Sequence, residues 1–104
     1  MNNLKSCIDA CLMCVATCEK CASDCIKDGN TACALLCRDC ADICALTARF
    51  DARDSEFSRE LHRLCAIICK ACAEECDKHT DHRYSCKACA DACKNCAAIC
   101  EELS

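Results

Sequence analysis

The chain has 104 residues and a formal net charge of −4, and it contains 19 cysteines, one glycine and no proline. That length corresponds to one domain, placed at residues 1–104. Acidic and basic residues are interspersed and only three residues are aromatic, so the basic, aromatic surface typical of nucleic-acid binding is not indicated. No apolar run approaches the roughly 20 residues that span a bilayer. We therefore expect no nucleic-acid partner and no membrane partner.

Nineteen cysteines in a chain of this length far exceed the roughly 8–10% that already marks a disulfide scaffold. A secreted disulfide framework is the usual explanation. Here, however, the count is odd, and an Ala-rich composition with one glycine favours helices over the loops of such frameworks. The N-terminal stretch MNNLKSC also lacks the charged and then apolar segments of a secretory signal. We therefore expect a cytoplasmic protein whose thiols stay reduced.

Cysteine recurs at regular short intervals in four segments, each of which predicts a helix. The first helix is predicted near residues 3–28, with six cysteines at intervals of 4, 3, 4, 3 and 4. The second is predicted near 31–50 and the third near 55–79, each with four cysteines at intervals of 4, 3 and 4. The fourth, near 82–103, has five cysteines at intervals of 3, 4, 3 and 4.

The breaks between the segments supply the helix ends. Gly29 and Asn30 are a stop and a cap, and polar residues at 54–55 and 80–81 are candidate caps for the third and fourth helices. A mean interval of 3.5 residues is the spacing of the a and d positions that form the seam between packed helices. Short connections make successive helices antiparallel. The predicted fold is all-α, an up-down antiparallel four-helix bundle with a cysteine-lined core.

A core made of cysteine requires a chemical explanation, because Leu fills a core better and packing does not explain the exclusive use of Cys. A ladder of disulfides is also disfavoured, since Cβ atoms at i and i+4 lie about 5–6 Å apart and a disulfide needs roughly 3.8 Å. Soft thiolates favour Cu(I), zinc and iron–sulfur clusters. The candidate metal ligands on the four seams are Cys7, Cys11, Cys14, Cys18, Cys21, Cys25, Cys33, Cys37, Cys40, Cys44, Cys65, Cys69, Cys72, Cys76, Cys86, Cys89, Cys93, Cys96 and Cys100.

Charge favours Cu(I) among these metals. A zinc tetrathiolate carries −2, so a core filled with zinc would bury many uncompensated charges. Cu(I) is monovalent and can replace thiol protons one for one. We therefore predict storage or buffering of many Cu(I) ions, roughly one per cysteine. An iron–sulfur or zinc thiolate protein and a redox thiol reservoir are the alternatives, and no arrangement typical of an enzyme is found.

The seam motifs also resemble a known family. CLMC, CVATC, CEKC and CASDC occur in the first helix, CALLCRDCADIC in the second, CAIICKACAEEC in the third and CKACADACKNCAAIC in the fourth. Together they resemble the cysteine-rich four-helix-bundle copper storage proteins, in their cytosolic form, over the whole chain. The resemblance implies many Cu(I) ions in each bundle and a homo-oligomer, often a tetramer. Apolar residues beside the seams also suggest self-association.

All three histidines continue a seam and are further candidate metal ligands: His62, His79 and His82. In an up-down bundle, His79 and His82 lie at one end with Cys25, Cys33 and Cys86, and we expect this end to be the mouth for copper. The opposite end is predicted to be plugged by apolar side chains, with His62 one turn inside. The residues of that predicted plug are Leu4, Phe50, Phe57, Leu61 and Leu103.

Overall fold

A computed structural model of the protein describes residues 3–81 and 83–104, without the side chain of Asn3. Its helices are α1 (Asn3–Lys27), α2 (Thr31–Ala52), α3 (Ser58–Asp77) and α4 (Tyr84–Leu103), and the described residues form no strand. Each helix packs on two neighbours, α1 on α2 and α4, and α3 on α2 and α4. The bundle is 40 Å long and 17 Å across. The prediction of an all-α four-helix bundle is confirmed.

The end of α1 and the start of α2 follow the predicted stop and cap. Gly29 has φ +77°, a left-handed backbone that glycine adopts without steric cost. The Asn30 amide donates to the carbonyl of Cys25, closing the end of α1. The side-chain oxygen of Asn30 accepts a hydrogen bond from the Cys33 amide at 3.2 Å. This short turn therefore fixes two cysteines on neighbouring helices.

The start of α3 differs from the prediction. The helix begins at Ser58 after Phe57, which makes no side-chain cap, so neither Asp54 nor Ser55 caps it. Asp54 instead has φ 51° in the turn that ends α2, and the Ser55 hydroxyl accepts from the Phe57 amide at 3.1 Å. Short polar side chains serve this turn as readily as a helix start, which is why the cap prediction was wrong.

The predicted caps of α4 were also wrong. Residues 78–81 form a turn, and Arg83, with extended backbone, directly precedes α4 at Tyr84 and provides no side-chain cap. Its side chain instead donates a hydrogen bond to the Sγ atom of Cys25, near the end of α1. His82 lies outside the described residues. None of the four helices, over residues 3–81 and 83–104, is long and apolar enough to cross a membrane.

The core consists of cysteine and alanine. Every cysteine is fully buried, at 0% exposure, with small alanines such as Ala22, Ala41 and Ala90 between them. Ile43 is the one buried large aliphatic residue among those described, and Leu12, Leu35 and Ile67 are more than half exposed. Small seam residues therefore place the four helices around a column of sulfur atoms, while large apolar side chains lie outside it.

Candidate metal centre

The thiols form a network along the bundle axis that is continuous when Sγ atoms up to 4.8 Å apart are counted as neighbours. Within single helices, six pairs of Sγ atoms four residues apart lie 3.8 to 4.0 Å from each other, as in Cys40–Cys44 and Cys65–Cys69. Contacts between helices are equally close: Cys18 lies 3.5 Å from Cys89, and Cys40 lies 3.6 Å from Cys69. We call this chain of neighbouring Sγ atoms the sulfur ladder. The regular seam spacing produces it because all four seams face the same axis.

These separations suit metal ligation rather than disulfides. All 19 cysteines are free thiols. Two sulfurs on one metal at about 2.3 Å lie roughly 3.8 Å apart in tetrahedral geometry, 4.0 Å in trigonal geometry and 4.6 Å in linear geometry. The observed 3.5 to 4.0 Å fits three- or four-coordinate sites directly. Linear sites, which the sequence favours along a helix, require the sulfurs of such a pair to move apart by about 0.6 to 0.8 Å.

Several sulfur quartets have all their Sγ atoms within 4.8 Å of one another. Two of these quartets take one cysteine from each helix, so that a metal there would join all four helices. Others include two cysteines of the same helix. Five of these groups are the quartets Cys11–Cys44–Cys65–Cys96, Cys14–Cys44–Cys69–Cys96, Cys18–Cys72–Cys89–Cys93, Cys21–Cys33–Cys37–Cys76 and Cys21–Cys25–Cys33–Cys86. The first two share two cysteines, and so do the last two. The third shares no member with the other four, but its Cys89 lies 3.9 Å from Cys37 of the fourth. A metal in one quartet therefore lies beside cysteines of the next.

Burial favours the protonated form of three thiols at the predicted mouth, those of Cys25, Cys33 and Cys86. It raises the pKa of Cys86 to about 12, and it also raises the pKa of Cys25 and of Cys33. A metal must therefore displace a proton from each of these sulfurs.

The mouth carries polar side chains around these cysteines. Nε2 of His79 lies 2.9 Å from Nδ2 of Asn30 and 3.1 Å from a carboxylate oxygen of Glu75. Arg83 donates to the Sγ atoms of Cys25, at 3.1 Å, and Cys86, at 3.8 Å. The structure thus places His79 at the predicted end, while the position of His82 is outside the described residues. Arg83 was missed, because an arginine in a turn has no pattern that links it to the seams.

The opposite end is closed by a polar contact. His62 is 3% exposed, and its Nε2 lies 2.8 and 2.9 Å from the two carboxylate oxygens of Asp51. Nδ1 of His62 lies 3.4 Å from the carbonyl oxygen of Leu103. Both ring nitrogens therefore have protein partners, and His62 would have to give one up to bind a metal. Its role as a ligand stays a prediction that this geometry does not favour.

The predicted apolar plug is only partly correct. Leu61 and Leu103 pack against the core, whereas Phe57 is 57% exposed. The ring of Phe50 lies 4.7 Å beneath the guanidinium of Arg53, near the surface. The turn that holds Phe57 starts α3 later than predicted, which leaves this ring outside the bundle.

Two buried polar residues continue the seam of α2. Thr47 is 0% and Asp51 is 3% exposed, and the intervals from Cys40 through Cys44, Thr47 and Asp51 are 4, 3 and 4. Sequence reasoning missed both, because only cysteine and histidine were followed along the seams. Extending the same intervals by two steps would have found them.

A family model described as copper storage protein, Csp, matches residues 1–104, a span that includes all four cysteine seams. The chain belongs to the copper storage protein family.

Three solved structures of copper storage proteins show how similar the chain is to other members. Apo copper storage protein 3 from Bacillus subtilis is 42% identical, with a TM-score of 0.88, over 95% of this chain and 96% of that chain. The Cu(I)-bound copper storage protein BsCsp3 is 40% identical, with a TM-score of 0.91, over 98% of both chains. A cytosolic copper storage protein from Streptomyces lividans, solved with five coppers, is 34% identical, with a TM-score of 0.91, over 97% and 91%. The similarity to these three structures therefore extends over nearly the whole chain.

Proposed function

We propose that this protein stores Cu(I) in the cytoplasm, with about one ion per cysteine, and that it catalyses no reaction. The observation that carries the proposal is the sulfur ladder: 19 buried thiols whose neighbouring Sγ atoms lie 3.5 to 4.0 Å apart where they contact. Such an unbroken array of soft ligands matches Cu(I) better than any metal that requires discrete sites. The Cu(I)-bound and cytosolic relatives support both the metal and the compartment.

Charge conservation supports Cu(I) over zinc in this core. Each Cu(I) that binds replaces one thiol proton, which leaves to solvent, so the core stays close to neutral at every stage of loading. Zinc in the shared quartets would leave a net negative charge at each site, and no described Lys or Arg lies inside the core to compensate it. The copper stays monovalent throughout, so storage needs no oxidant or reductant.

The ladder also provides a path for the ions. An ion bound to Cys21 and Cys86, 3.5 Å apart, has Cys76 at 3.9 Å from Cys21 as its next ligand. It can therefore gain a third sulfur before it loses the first, which avoids an unligated ion in the core. We propose that all 19 cysteines act as ligands, and that His79 and His82 receive ions at the mouth.

The alternatives from other classes are less well supported. An iron–sulfur protein needs a few cysteines around each discrete cluster, whereas here four of the five quartets share members and the remaining one contacts its neighbour at 3.9 Å. A redox reservoir would need pairs that close to the roughly 2.05 Å of a disulfide, and sulfur contacts of 3.5 Å or more with fixed helices do not favour many such pairs.

We also propose a homo-oligomer, and a tetramer on the family resemblance. The α1–α2 face supports self-association, because Leu12 and Leu46 are 52% and 38% exposed and Ile8 and Val15 line a shallow groove there. Sedimentation of the reduced protein, compared with Leu12→Lys, tests this independently of copper binding. A monomer in both cases would contradict it.

Anaerobic titration of the reduced protein tests the main proposal. With thiols counted under denaturing conditions, Cu(I) binding should reach a plateau near one ion per cysteine, and a parallel Zn(II) titration should stop at a much smaller ratio. A copper plateau of only four or five ions would mean discrete tetrathiolate sites and would contradict the ladder.

A further inference from the structure

Arg83 occupies the position through which a metal ion would reach the first sulfur quartet. Its Nη1 donates to Cys25 at 3.1 Å and to Cys86 at 3.8 Å. Both cysteines belong to the quartet Cys21–Cys25–Cys33–Cys86, the one at the mouth. The second guanidinium nitrogen, Nη2, donates to the carboxylate of Asp28 in the α1–α2 turn. One side chain therefore links the α1–α2 turn, the start of α4 and the two thiols.

This arrangement is not helix capping. Arg83 precedes α4 but makes no side-chain hydrogen bond to its backbone, and its side chain is only 17% exposed although it carries a full charge. The side chain covers sulfur atoms whose lone pairs a metal must use. A guanidinium at hydrogen-bond distance from these sulfurs also repels an arriving cation, since unit charges a few ångströms apart in a partly buried site interact strongly.

The ion pair with Asp28 holds this cover in place but is weak enough to open. The Asp28 side chain is 54% exposed, and ion pairs in such settings contribute little to stability, about 0–1 kcal/mol. Arginine can bind the carboxylate and the sulfurs at once because its planar fork presents several donors in fixed directions. Rotation of the Arg83 side chain alone then exposes the quartet without any movement of the helices.

We propose that Arg83, held by Asp28, is a gate that limits the rate at which Cu(I) enters and leaves the mouth. The proposal rests on the copper storage function. When Arg83 rotates away, Cu(I) binds the Sγ atoms of Cys25 and Cys86, and their protons pass to solvent. The copper stays Cu(I). Because the gate acts on the path and supplies no ligand, it changes the rates and leaves the final number of bound ions unchanged.

Stopped-flow transfer of Cu(I) tests the gate in the full-length reduced protein. The donors are the anionic Cu(I)–bicinchoninate complex and Cu(I) in acetonitrile, and removal is followed with excess bicinchoninate. We expect Arg83→Gln to speed both uptake and removal about fivefold, the ratio that corresponds to loss of an ion pair that contributes about 1 kcal/mol. Asp28→Asn should also speed both. Arg83→Lys should fall between wild type and Arg83→Gln, because one ammonium cannot hold the carboxylate and both sulfurs together.

The matched control is Arg59→Gln, which makes the same charge change on an exposed residue at the first turn of α3, at the other end of the bundle. It should load at the wild-type rate. Equal rates for wild type, Arg83→Gln and Asp28→Asn would overturn the gate while a full copper plateau keeps the storage function. Slower transfer to Arg83→Gln from the anionic donor alone would mean that Arg83 recruits donors, which also overturns the gate. A wild type that binds no copper would instead contradict the storage function.

Discussion

His62 on α3 and Asp51 on α2 form a buried ion pair, with Nε2 at 2.8 and 2.9 Å from the two carboxylate oxygens. The other ring nitrogen lies 3.4 Å from the carbonyl of Leu103 on α4. Both partners accept hydrogen bonds when Asp51 is ionised, so the arrangement favours the protonated ring, and the pKa of His62 is raised accordingly. Three helices therefore meet at one side chain, which closes the end of the bundle opposite the mouth.

Asp51→Asn should destabilise the reduced, copper-free protein by about 2 kcal/mol, the usual cost of losing a hydrogen bond to a charged group. The neutral amide keeps the size of the carboxylate but leaves the imidazolium without a counter-charge. Urea unfolding followed by circular dichroism measures the free energy of unfolding. Asp54→Asn is the control, because Asp54 is exposed and its φ of 51° is one that Asn also adopts. If the free energies of unfolding of Asp51→Asn and Asp54→Asn differ by less than about 0.5 kcal/mol, the His62–Asp51 pair does not stabilise the fold.

The same pair should make stability depend on pH. Burial lowers the pKa of His62, but the hydrogen bond and charge of Asp51, with a smaller effect of Cys7, outweigh it and raise the pKa above 6.5. Stabilisation from a raised His pKa is complete below pH 6.5 and is lost as pH rises through the folded-state value. Burial, opposed by His62, also raises the pKa of Asp51, so its titration changes stability in the same direction.

The comparison that isolates this effect is the wild type against the double variant Asp51→Asn, His62→Gln, in which neither group titrates. The difference in free energy of unfolding between the two proteins should decrease as pH rises from 6 to 8. The other thiols contribute equally to both proteins, and only Cys7 of the described thiols interacts with the pair. A difference that grows with pH would mean that His62 is neutral in the folded protein.

The seams were predictable from sequence because the 3.5-residue interval specifies which face of each helix is buried. Cys7 and Cys100, near opposite ends of the chain, were both placed in the core, and their Sγ atoms lie 3.8 Å apart. The ends of the bundle were not predictable in the same way. The seam intervals place Asp51 and His62 on buried faces but do not specify that they pair with each other. Arg83 lies in a turn, where no interval applies, and its contact with Cys25 joins residues 58 positions apart.

Thr47→Cys should raise copper capacity by about one ion per chain. Thr47 is fully buried and follows Cys44 at the seam interval, so a thiol there extends the sulfur ladder toward the closed end. Thr and Cys have similar size, and the hydroxyl of Thr47 bonds only to the carbonyl of Ile43 in its own helix, at 2.7 Å. Thr17→Cys is the control, because Thr17 is half-buried on α1 and off the seam. Equal capacities in the two variants would show that seam position does not decide copper binding.

Cys40→Ser removes a thiol from the middle of the sulfur ladder, whereas Thr47→Cys adds one, and copper capacity should therefore fall. The Sγ atom of Cys40 lies within 4.0 Å of three other sulfurs, those of Cys44, Cys69 and Cys93. The serine hydroxyl is a poor ligand for Cu(I), so the plateau of an anaerobic titration should fall by one or two ions. The helices should form as before, since a buried hydroxyl can bond to a carbonyl one turn back, as that of Thr47 does. An unchanged plateau would mean that the centre of the ladder does not hold copper.

Replacing His79 and His82 together with Ala should slow Cu(I) uptake and removal several-fold and leave final capacity almost unchanged. A neutral imidazole can bind Cu(I) without the deprotonation that a thiol needs at pH 7, so it can receive an ion before the cysteines do. His79 is well placed for this, since Asn30, which contacts its ring, also caps α2 beside Cys33.

His62→Gln is the control at the closed end and should load at the wild-type rate. Stopped-flow transfer from Cu(I)–bicinchoninate measures each rate. If the double variant loads as fast as wild type and His62→Gln loads slowly, copper enters at the closed end and the mouth has been placed at the wrong end.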